Sequence, residues 1–515
     1  MSARFWRRLS TVFYGMAVLF FPISIAFRAA SAQQSRPIVR LAVQYPGTNA
    51  SEKIKACIAD LPSIGGTCDA TGLQGAQSIE SDFTSDLTRP GTQPKPVTLL
   101  LGHATITCSK KRTANCIQLP SGFRMIGLGN DQTIIRFDDE FPAWVRLIVT
   151  APHSSHIEIS GLTLDGNISH YGGDRKIRQN HGIMLMQAKD VSVHDNHFHD
   201  FWGDALMLWG TADPSSDVKV FENTFKGNSR ADISFISAEQ VDVYNNIINK
   251  TVNFESIHGE PDGEEQLERD IQVHDNILTG TGISFTAQRY RGDGDNPNVQ
   301  RINVTNNTVN GSFILMQRTP FCRVIGNKVI DTAGADAGIT VNTHSCVIEG
   351  NQISWSQQPC PLCAGIYIGG SAIWEPQNLW GKGENRIAGN SITNARGAAI
   401  ILYDSSDNLV DHNTVTSVLP RGQAPAAGIN IGGSGSKSLR NVVTNNVITD
   451  PKPSPTTTFG LSVGPGERPL VGSNTFKGVT SRGISNPTLV QQYSTERLKE
   501  ILQENPNHAA AATPP

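Results

Sequence analysis

An acidic segment with one histidine holds the residues best suited to bond cleavage. Glu260 and Asp262 flank a proline, and His258 lies two residues before Glu260. Two carboxyl groups can act as acid and base on a glycosidic bond, with a separation of about 5 Å in retaining enzymes and roughly 6.5–9.5 Å in inverting ones. The histidine could serve as a base, a hydrogen-bond donor or a metal ligand. The candidate catalytic residues are Glu260, Asp262, His258, Glu255 and Asp204.

The same segment also fits a solvated turn. Glu260-Pro261-Asp262-Gly263 places a proline and an aspartate in the middle positions, where turns favour them. The segment departs from the repeat described below, however, and departures from a local rule concentrate at functional sites. Both interpretations therefore stay open at the level of the sequence.

Aromatic, basic and amide side chains elsewhere could bind an extended polymer. Seven acidic residues from Glu255 to Asp270 stand against the single Arg269, and such a surface repels an anionic polymer unless a cation intervenes. Basic residues nearby could hold a carboxylated sugar or supply a lyase with its base, and a lyase could also use Ca²⁺; we assign no other cofactor. The candidate substrate-binding residues are Trp209, Trp202, Arg289, Arg318, Asn342, His344 and Tyr367.

Three histidines close in sequence have metal-ligand chemistry but poor spacing. His194 and His197 stand on opposite sides of Asn196, which the repeat places at a turn. A compact site that includes both is therefore not expected, and we assign no metal ligands.

A repeated pattern positions all of these residues. An asparagine closes a motif of apolar, any, apolar and two polar residues, with a mean period of about 28 residues, which is typical of a solenoid. Stacked coils would let each asparagine amide donate to one neighbour and accept from the other. The anchors are at positions 167, 196, 223, 246, 276, 307, 327, 351, 390, 413 and 446.

A second apolar alternation follows each anchor. Gly182-Ile183-Met184-Leu185 and Ala205-Leu206-Met207-Leu208 have the period of two that strands show. Ile183, Leu185, Leu206, Leu208, Ile233 and Phe235 should fill the bore, and their neighbours should face outward. The predicted outward residues change from methionine and tryptophan to polar types near His258 and Glu260.

These repeats resemble those of right-handed parallel β-helix proteins of the pectate-lyase-like superfamily, over roughly residues 90 to 480. The resemblance implies an all-β, right-handed single-stranded parallel β-helix with short capping helices at both ends. It does not select a chemistry, because the scaffold carries lyases, hydrolases, epimerases, fructosyl-transferring enzymes and non-catalytic attachment proteins. The catalytic motifs of polygalacturonases and alginate epimerases are absent from this sequence, so only the scaffold is carried over.

The sequence divides into four predicted regions. Residues 1–32 have a basic start, an apolar run and a small-residue end, as in a secretory signal peptide. Residues 33–90 form a leader and an N-terminal cap with a helix over Glu52–Leu61, and the first strands are predicted at Val97–Leu101 and Phe123–Gly129. The β-helix spans residues 91–480. Residues 481–515 hold a capping helix at 493–504 and a disordered tail.

Composition restricts the partners and the compartment. The net charge is −3 and no basic patch is interleaved with aromatic residues, which argues against nucleic-acid binding. After signal cleavage no membrane span is expected, so the protein should be secreted or reside in the periplasm or cell envelope. The oligomeric state does not follow from the sequence.

Eight cysteines in an exported chain predict up to four disulfides. Cys57 with Cys68 and Cys108 with Cys116 are close pairs. Cys322 and Cys346 share one repeat position on successive coils, at a spacing suited to a disulfide. Cys360 and Cys363 fit either a loop staple or a redox pair.

The expected function is that of an exported carbohydrate-active protein. A polysaccharide would bind along the outer groove, and a hydrolase or lyase site would centre on Glu255–Asp262. The alternative from another class is a non-catalytic surface or envelope protein that binds a glycan or a protein in the same groove.

Overall fold

A computed structural model describes most of the 515-residue chain. The described residues are 38–87, 95–109, 115–129, 131–139, 141–170, 179–250, 255–287, 298–333, 335–356, 363–369, 383–433, 439–481, 483–494, 496–497 and 500. The predicted signal peptide and tail, and most of the predicted C-terminal helix, lie outside them.

Three long parallel sheets wind around one hydrophobic interior, and each turn of the chain adds one strand to each sheet in most coils. Sheet A has 17 strands, sheet B has 15 and sheet C has 13. Within the described residues the fold is all-β apart from helix α1, Ala50–Ala59, three short 3₁₀ turns, and the helical residues 496, 497 and 500 in the predicted C-terminal helix. Those turns are Ala42–Gln44, Ile168–His170 and Pro487–Leu489.

Sheet A contains β1 Val39–Leu41, β2 Gly66–Ala70, β4 Val97–Leu101, β7 Phe123–Ile126, β10 Ser155–Ser160, β13 Lys189–His194, β16 Ser215–Phe221, β19 Ala238–Tyr244, β22 Glu268–His274, β25 Val299–Thr305, β28 Arg323–Ile325, β31 Val347–Glu349, β34 Arg386–Ala388, β37 Leu409–Asp411, β40 Leu439–Thr444, β43 Arg468–Val471 and β45 Gln491–Gln492.

Sheet B contains β3 Gly75–Ile79, β5 Ala104–Cys108, β8 Thr133–Phe137, β11 Thr163–Asp165, β14 His197–His199, β17 Thr224–Lys226, β20 Ile247–Asn249, β23 Ile277–Thr279, β26 Thr308–Asn310, β29 Lys328–Ile330, β32 Gln352–Ser354, β35 Ser391–Arg396, β38 Thr414–Leu419, β41 Val447–Thr449 and β44 Thr475–Lys477.

Sheet C contains β6 Ile117–Leu119, β9 Arg146–Thr150, β12 His181–Met186, β15 Leu206–Trp209, β18 Ile233–Phe235, β21 Ile257–Gly259, β24 Ile283–Thr286, β27 Ile314–Gln317, β30 Ala337–Asn342, β33 Ala364–Gly369, β36 Ala398–Tyr403, β39 Ala427–Gly432 and β42 Phe459–Val463.

The N-terminal region differs in part from its prediction. Helix α1 begins two residues before Glu52, where the Asn49 side chain caps it by accepting a hydrogen bond from the backbone N–H of Glu52. The sheets also begin earlier than expected, because β1 pairs with β2 and β2 pairs with β4 in one parallel array. The predicted first strand at Val97–Leu101 is therefore the third strand of sheet A.

Left-handed residues turn the chain from sheet A to sheet B. The residue before most anchor asparagines has a positive φ, such as 54° at Asp195 and Asp275 and 65° at Gly350. Asparagine, aspartate and glycine tolerate this conformation best. The two polar positions of the sequence motif are thus a corner of the coil.

The asparagine ladder is confirmed from Asn196 onward, but its first and last members differ from the prediction. Each member donates its backbone N–H and its side-chain Nδ2 to the Oδ1 of the next member. Asn167 is not part of the ladder, because the backbone N–H of Leu162 donates to Asn196 Oδ1 and Leu162 occupies the ladder position. The ladder ends at Asn474, which accepts from Asn446. Asn385, Asn408 and Asn441 form a second ladder at the start of sheet A strands.

Three predicted disulfides are present, Cys57–Cys68, Cys108–Cys116 and Cys322–Cys346. Cys363 is also disulfide-bonded, whereas Cys360 lies outside the described residues. The six residues predicted to fill the bore are completely buried. No helix among the described residues has the length and hydrophobicity needed to cross a membrane.

Candidate functional site

Strand register brings the candidate residues together on the outer face of sheet C. Met184, Met207, Ser234, His258 and Ser284 are consecutive register partners on five coils. Each stands between two inward residues of its strand, so their side chains form one outward column. We call this the His258 column. Glu260 lies two residues beyond His258, directly after β21, Ile257–Gly259.

Four side chains with solvent access form the chemical centre of this face. His258 Nε2 is 3.1 Å from Glu260 Oε2, and Arg230 and Asp262 interact electrostatically with Glu260. The side chain of His258 is 11% exposed, that of Arg230 is 32% and that of Glu260 is 49%, so a bound polymer can reach all three.

The pKa values of the two carboxyl groups of the site are shifted in opposite directions. The hydrogen bond with His258 lowers the pKa of Glu260 despite partial burial, and the charges of His258 and Arg230 act in the same direction. Burial and the charge of Glu260 raise the pKa of Asp262. Environments that separate the pKa values of two neighbouring acids are how a site assigns one as base and the other as acid.

A buried polar cluster lies beside this centre. Asp204, Asp232 and Lys250 are at most 3% exposed. Asp204 is 3.5 Å from His181 Nδ1 through Oδ2 and 3.5 Å from Arg230 Nε through Oδ1, and the latter oxygen also accepts the backbone N–H of Ala231. Lys250 donates from Nζ to the carbonyl oxygen of Arg230. The cluster therefore fixes Arg230 from both its side chain and its backbone.

The pKa values of the buried acids in the cluster are shifted in opposite directions. Burial would raise the pKa of Asp204, but His181 and Arg230 lower it below its ordinary value. Burial raises the pKa of Asp232, although Lys250, Ser256 and Asn228 oppose that shift. Asp204, a predicted catalytic residue, is completely buried, so it cannot touch a polymer on the outer face. We assign it a positioning role through Arg230.

Glu255 is half-buried at the edge of this cluster. Its charge raises the pKa of Lys250, whereas the pKa shift of Glu260 has other causes. The structure therefore places Glu255 with the buried cluster, while Glu260, Asp262 and His258 lie together at the surface.

The segment 260–267 forms a wall at the edge of sheet C. Gln266 accepts the Gly263 N–H over 2.8 Å and donates from Nε2 to the Gly210 carbonyl oxygen over 2.9 Å. Leu267 N–H donates to Ser237 Oγ over 3.1 Å. Gly210 directly follows Trp209, so the wall that carries Asp262 reaches back over two coils. We call this segment the insertion wall.

Glu268 is a buried acid that the sequence analysis did not single out. It is fully buried at the start of β22, where the neighbouring coils have Ala238 and Val299. Burial holds its pKa well above the ordinary value. A Cβ on Gly259 would lie 2.5 Å from Glu268 Oε2, so Gly259 makes room for this carboxyl group. An acid at an apolar repeat position was the signal that could have identified it.

The predicted substrate-binding residues are not all on one surface. Trp209 is half-buried beside Met186, its register partner. Trp202 is 5% exposed in the main core, so the prediction that it stacks on a sugar at the rim is wrong. Arg289 lies outside the described residues.

Farther along sheet C, the remaining predicted residues are half-buried. Asn342 is the register partner of Gln317, and Tyr367 that of Thr340. Burial and nearby Tyr403, Asp336 and Asp404 raise the pKa of Tyr367 to about 12. Arg318 donates to the Ala287 carbonyl oxygen over 3.0 Å, and His344 Nδ1 is 3.0 Å from Ser345 Oγ. The column remains continuous from His258 to Tyr367.

The predicted separation of His194 from His197 is confirmed. His194 is on sheet A, where it stacks on Phe221 at 4.6 Å, whereas His197 and His199 are on sheet B. In the described part of the chain, Asp165, His199 and Asp200 are the residues whose ligand atoms approach closely enough for one ion, within 4.8 Å. His199 Nδ1 is 2.9 Å from Asp200 Oδ2, which a hydrogen bond explains.

One surface groove among the described residues lies away from this chemistry. A groove of about 570 Å³ lies on sheet A and is lined by Ser155, Lys189, Asp217 and Asp242 among others. We locate the candidate site by its converging charged groups, because a shallow outer face of a β-helix needs no closed cavity to hold an extended chain.

The family model described as a right-handed β-helix region matches residues 150–260 and 364–493. A comparison with curated proteins finds no match.

Solved structures of similar architecture have low sequence identity. The A-module of a mannuronan C-5 epimerase from Azotobacter vinelandii is 13% identical, with 88% of this chain and 99% of that chain covered and a TM-score of 0.38. A mutant tailspike protein of E. coli bacteriophage HK620 is 14% identical, with coverages of 87% and 77% and a TM-score of 0.48. DFA-IIIase from Arthrobacter chlorophenolicus A6, without its lid, is 12% identical, with coverages of 89% and 98% and a TM-score of 0.44. The likeness concerns the fold alone.

Proposed function

We propose that this right-handed parallel β-helix protein binds an extended glycan along sheet C. Glu260 and Asp262 are the residues that cleave the glycan. The observation that carries this proposal is the contact of His258 with Glu260 over 3.1 Å on the outer face of sheet C, beside a second carboxyl group, Asp262, whose pKa is shifted in the opposite direction. A glycosidic bond is cleaved by such a pair, with one proton-bearing acid and one ionised base or nucleophile.

Each residue of the site has a role in this proposal. Asp262 retains its proton to higher pH and donates it to the leaving glycosidic oxygen. Glu260 is ionised, and it either activates water or attacks the anomeric carbon, depending on the separation of the two carboxyl groups in the bound complex. His258 and Arg230 hold Glu260 ionised. Asp204 and Lys250 keep Arg230 in place.

Export is part of the proposal. Three disulfides are typical of proteins that mature in an oxidising compartment, and they support a secreted or envelope location. Fractionation of producing cells tests this: we expect the protein in the medium or periplasm with its disulfides formed, and a reduced cytoplasmic pool as the main form would contradict it.

The decisive experiment offers the purified protein a panel of neutral and acidic polysaccharides. New reducing ends without ultraviolet absorbance indicate a hydrolase, and reducing ends with the absorbance of unsaturated uronic acids indicate a lyase. Glu260→Gln and Asp262→Asn should each lower the rate by at least about 100-fold. Glu265→Gln is the matched control, because Glu265 is an exposed glutamate of the same insertion wall. Binding without either product would establish the non-catalytic alternative.

A further inference from the structure

We propose that the polymer carries an apolar substituent, such as an acetyl group or the methyl group of a 6-deoxy sugar, on the unit that binds beside Glu260 toward Trp209. This inference rests on the proposed function of the same site. It concerns the subsite next to Glu260 on the side of Trp209. The outer face of sheet C is apolar on that side of Glu260 and more polar on the other.

On the N-terminal side of His258, the outer face of sheet C is apolar. Met184, Met207 and Ile236 form a cluster with Val149, and Met186 and Trp209 pack against it. Met184 and Met207 point away from the bore, because the inward positions of their strands are taken by leucine and isoleucine. Val149, Met184, Met207 and Ile236 are 1–7% exposed, so the half-buried Met186 and Trp209 are the members of this cluster that a ligand can touch.

On the C-terminal side, the same face offers hydrogen-bonding groups. Ser284 follows His258 in register, and Gln317 and Asn342 follow Thr286. All four side chains carry a hydroxyl or amide group. A polymer lying across Glu260 along the axis therefore meets apolar surface on one side and, at Thr286, Gln317 and Asn342, polar surface on the other, with Leu315 after Ser284 as an apolar exception.

The insertion wall joins the apolar side to the catalytic carboxylates. Gln266, 5% exposed, donates to the carbonyl oxygen of Gly210, the residue after Trp209. Leu267 is tied to Ser237, the residue after Ile236. Asp262 is thus carried by a segment anchored at the two coils that hold Trp209 and Ile236. The apolar cluster and the acid belong to one recess.

The chemistry of this recess selects its occupant. Sugar hydroxyl groups would lose water against methionine and tryptophan side chains without gaining partners, which is unfavourable. A carboxylated sugar would also meet the negative charge of Glu260. An acetyl or methyl group avoids both costs and buries apolar surface. A neutral glycan with such a substituent fits best.

The test compares matched neutral polysaccharides with and without acetyl groups. O-acetylated xylan, O-acetylated glucomannan and chitin oligomers are each offered beside their de-acetylated counterparts, and kcat/KM is measured for both. We expect the acetylated form to be cleaved about 10-fold or more faster, since one or two carbon groups in an apolar pocket give discrimination of that size. Equal rates, or a preference for the de-acetylated form, would overturn the inference and leave the proposed function standing.

Variants assign the preference to the apolar recess. Met186→Ser and Trp209→Ser should reduce the ratio of the two rates toward one, whereas Met186→Leu should retain it. Thr286→Ala is the matched control on the polar side and should leave the ratio unchanged. Thermal unfolding of each variant establishes that the compared proteins are folded. An unchanged ratio in folded Met186→Ser and Trp209→Ser would contradict the assignment, and no cleavage of any polysaccharide would overturn the proposed function itself.

Discussion

Asn276 donates to Asn307 twice: its backbone N–H lies 3.0 Å and its side-chain Nδ2 lies 2.9 Å from the same Asn307 Oδ1. The Asn276 Oδ1 in turn accepts both donors of Asn246. One amide therefore satisfies backbone and side-chain groups on three coils, in a completely buried position.

Replacing one ladder member should weaken the fold strongly. Asn276→Ala removes the oxygen that accepts the buried Asn246 backbone N–H and the side-chain donor to the Val243 carbonyl oxygen, and each buried group left unpaired costs about 1–3 kcal/mol. We expect a loss of about 3 kcal/mol or more in the free energy of unfolding, measured by denaturant titration. Asn249→Ala is the matched control, since Asn249 is exposed on sheet B, and its effect should be within about 0.5 kcal/mol. Equal effects of the two variants would contradict the ladder's role.

The buried cation beside the site should be needed for the integrity of the neighbouring coils. Lys250 is 3% exposed, and its positive charge stabilises the ionised forms of the buried Asp204 and Asp232. Lys250→Met should destabilise the protein by about 3–5 kcal/mol, because removing one partner leaves buried charge uncompensated. Thermal or denaturant unfolding measures the loss.

A second variant tests the cause. Asp232→Asn in the Lys250→Met background should recover part of the lost stability, because it removes one of the uncompensated charges. A double variant as unstable as the sum of the two single changes would show that charge compensation is not the reason.

The C-terminal coils should lose stability in acid through Asp450. Burial alone would raise its pKa, but hydrogen bonds from Thr456, Thr457 and Ser417 lower it to about 2 from the ordinary 3.8. A depressed folded-state pKa stabilises the protein above the ordinary value, and that contribution is lost as the pH falls through the folded value. We expect Asp450→Asn to cost roughly 2 kcal/mol at neutral pH and little near pH 2.

Unfolding titrations across this pH range provide the measurement. Asp217→Asn is the control, because Asp217 is an exposed aspartate whose contact with Lys189, at 3.4 Å, is a surface ion pair. A constant difference between wild type and Asp450→Asn from neutral pH to pH 2 would refute the assignment.

The activity should depend on pH through the two carboxylates. The ionised form of Glu260 and the protonated form of Asp262 are both required, so kcat/KM should be bell-shaped with an acidic optimum. His258→Gln disturbs the hydrogen bond and removes the charge that together lower the pKa of Glu260, so the acid limb should move to higher pH. Arg230→Gln should move both limbs upward, because Arg230 lowers the pKa of each acid.

The control for the pH profile is again Glu265→Gln, for which we expect both limbs to stay in place. A His258→Gln profile that falls in amplitude with an unmoved acid limb would mean that His258 does not act through Glu260.

The repeat could be predicted from the sequence because its causes are local. Alternation of apolar residues places Ile183 and Leu185 in the bore, and the polar residues before each asparagine are those that tolerate a left-handed corner. The prediction was wrong at Asn167, where the motif recurs but Leu162 holds the ladder position. A matching pattern over six residues does not determine which residue aligns with the next coil.

The sequence by itself determined the solenoid, its disulfide pairs and the outward column that includes His258. Only the tertiary structure decided what each outward residue can reach. Asp204 and Trp202 are buried by neighbouring coils, and Glu268 fills a place that Gly259 leaves open. The insertion wall is held by a hydrogen bond between residues 56 positions apart. Such contacts depend on how coils of unequal length stack, and no local period encodes that.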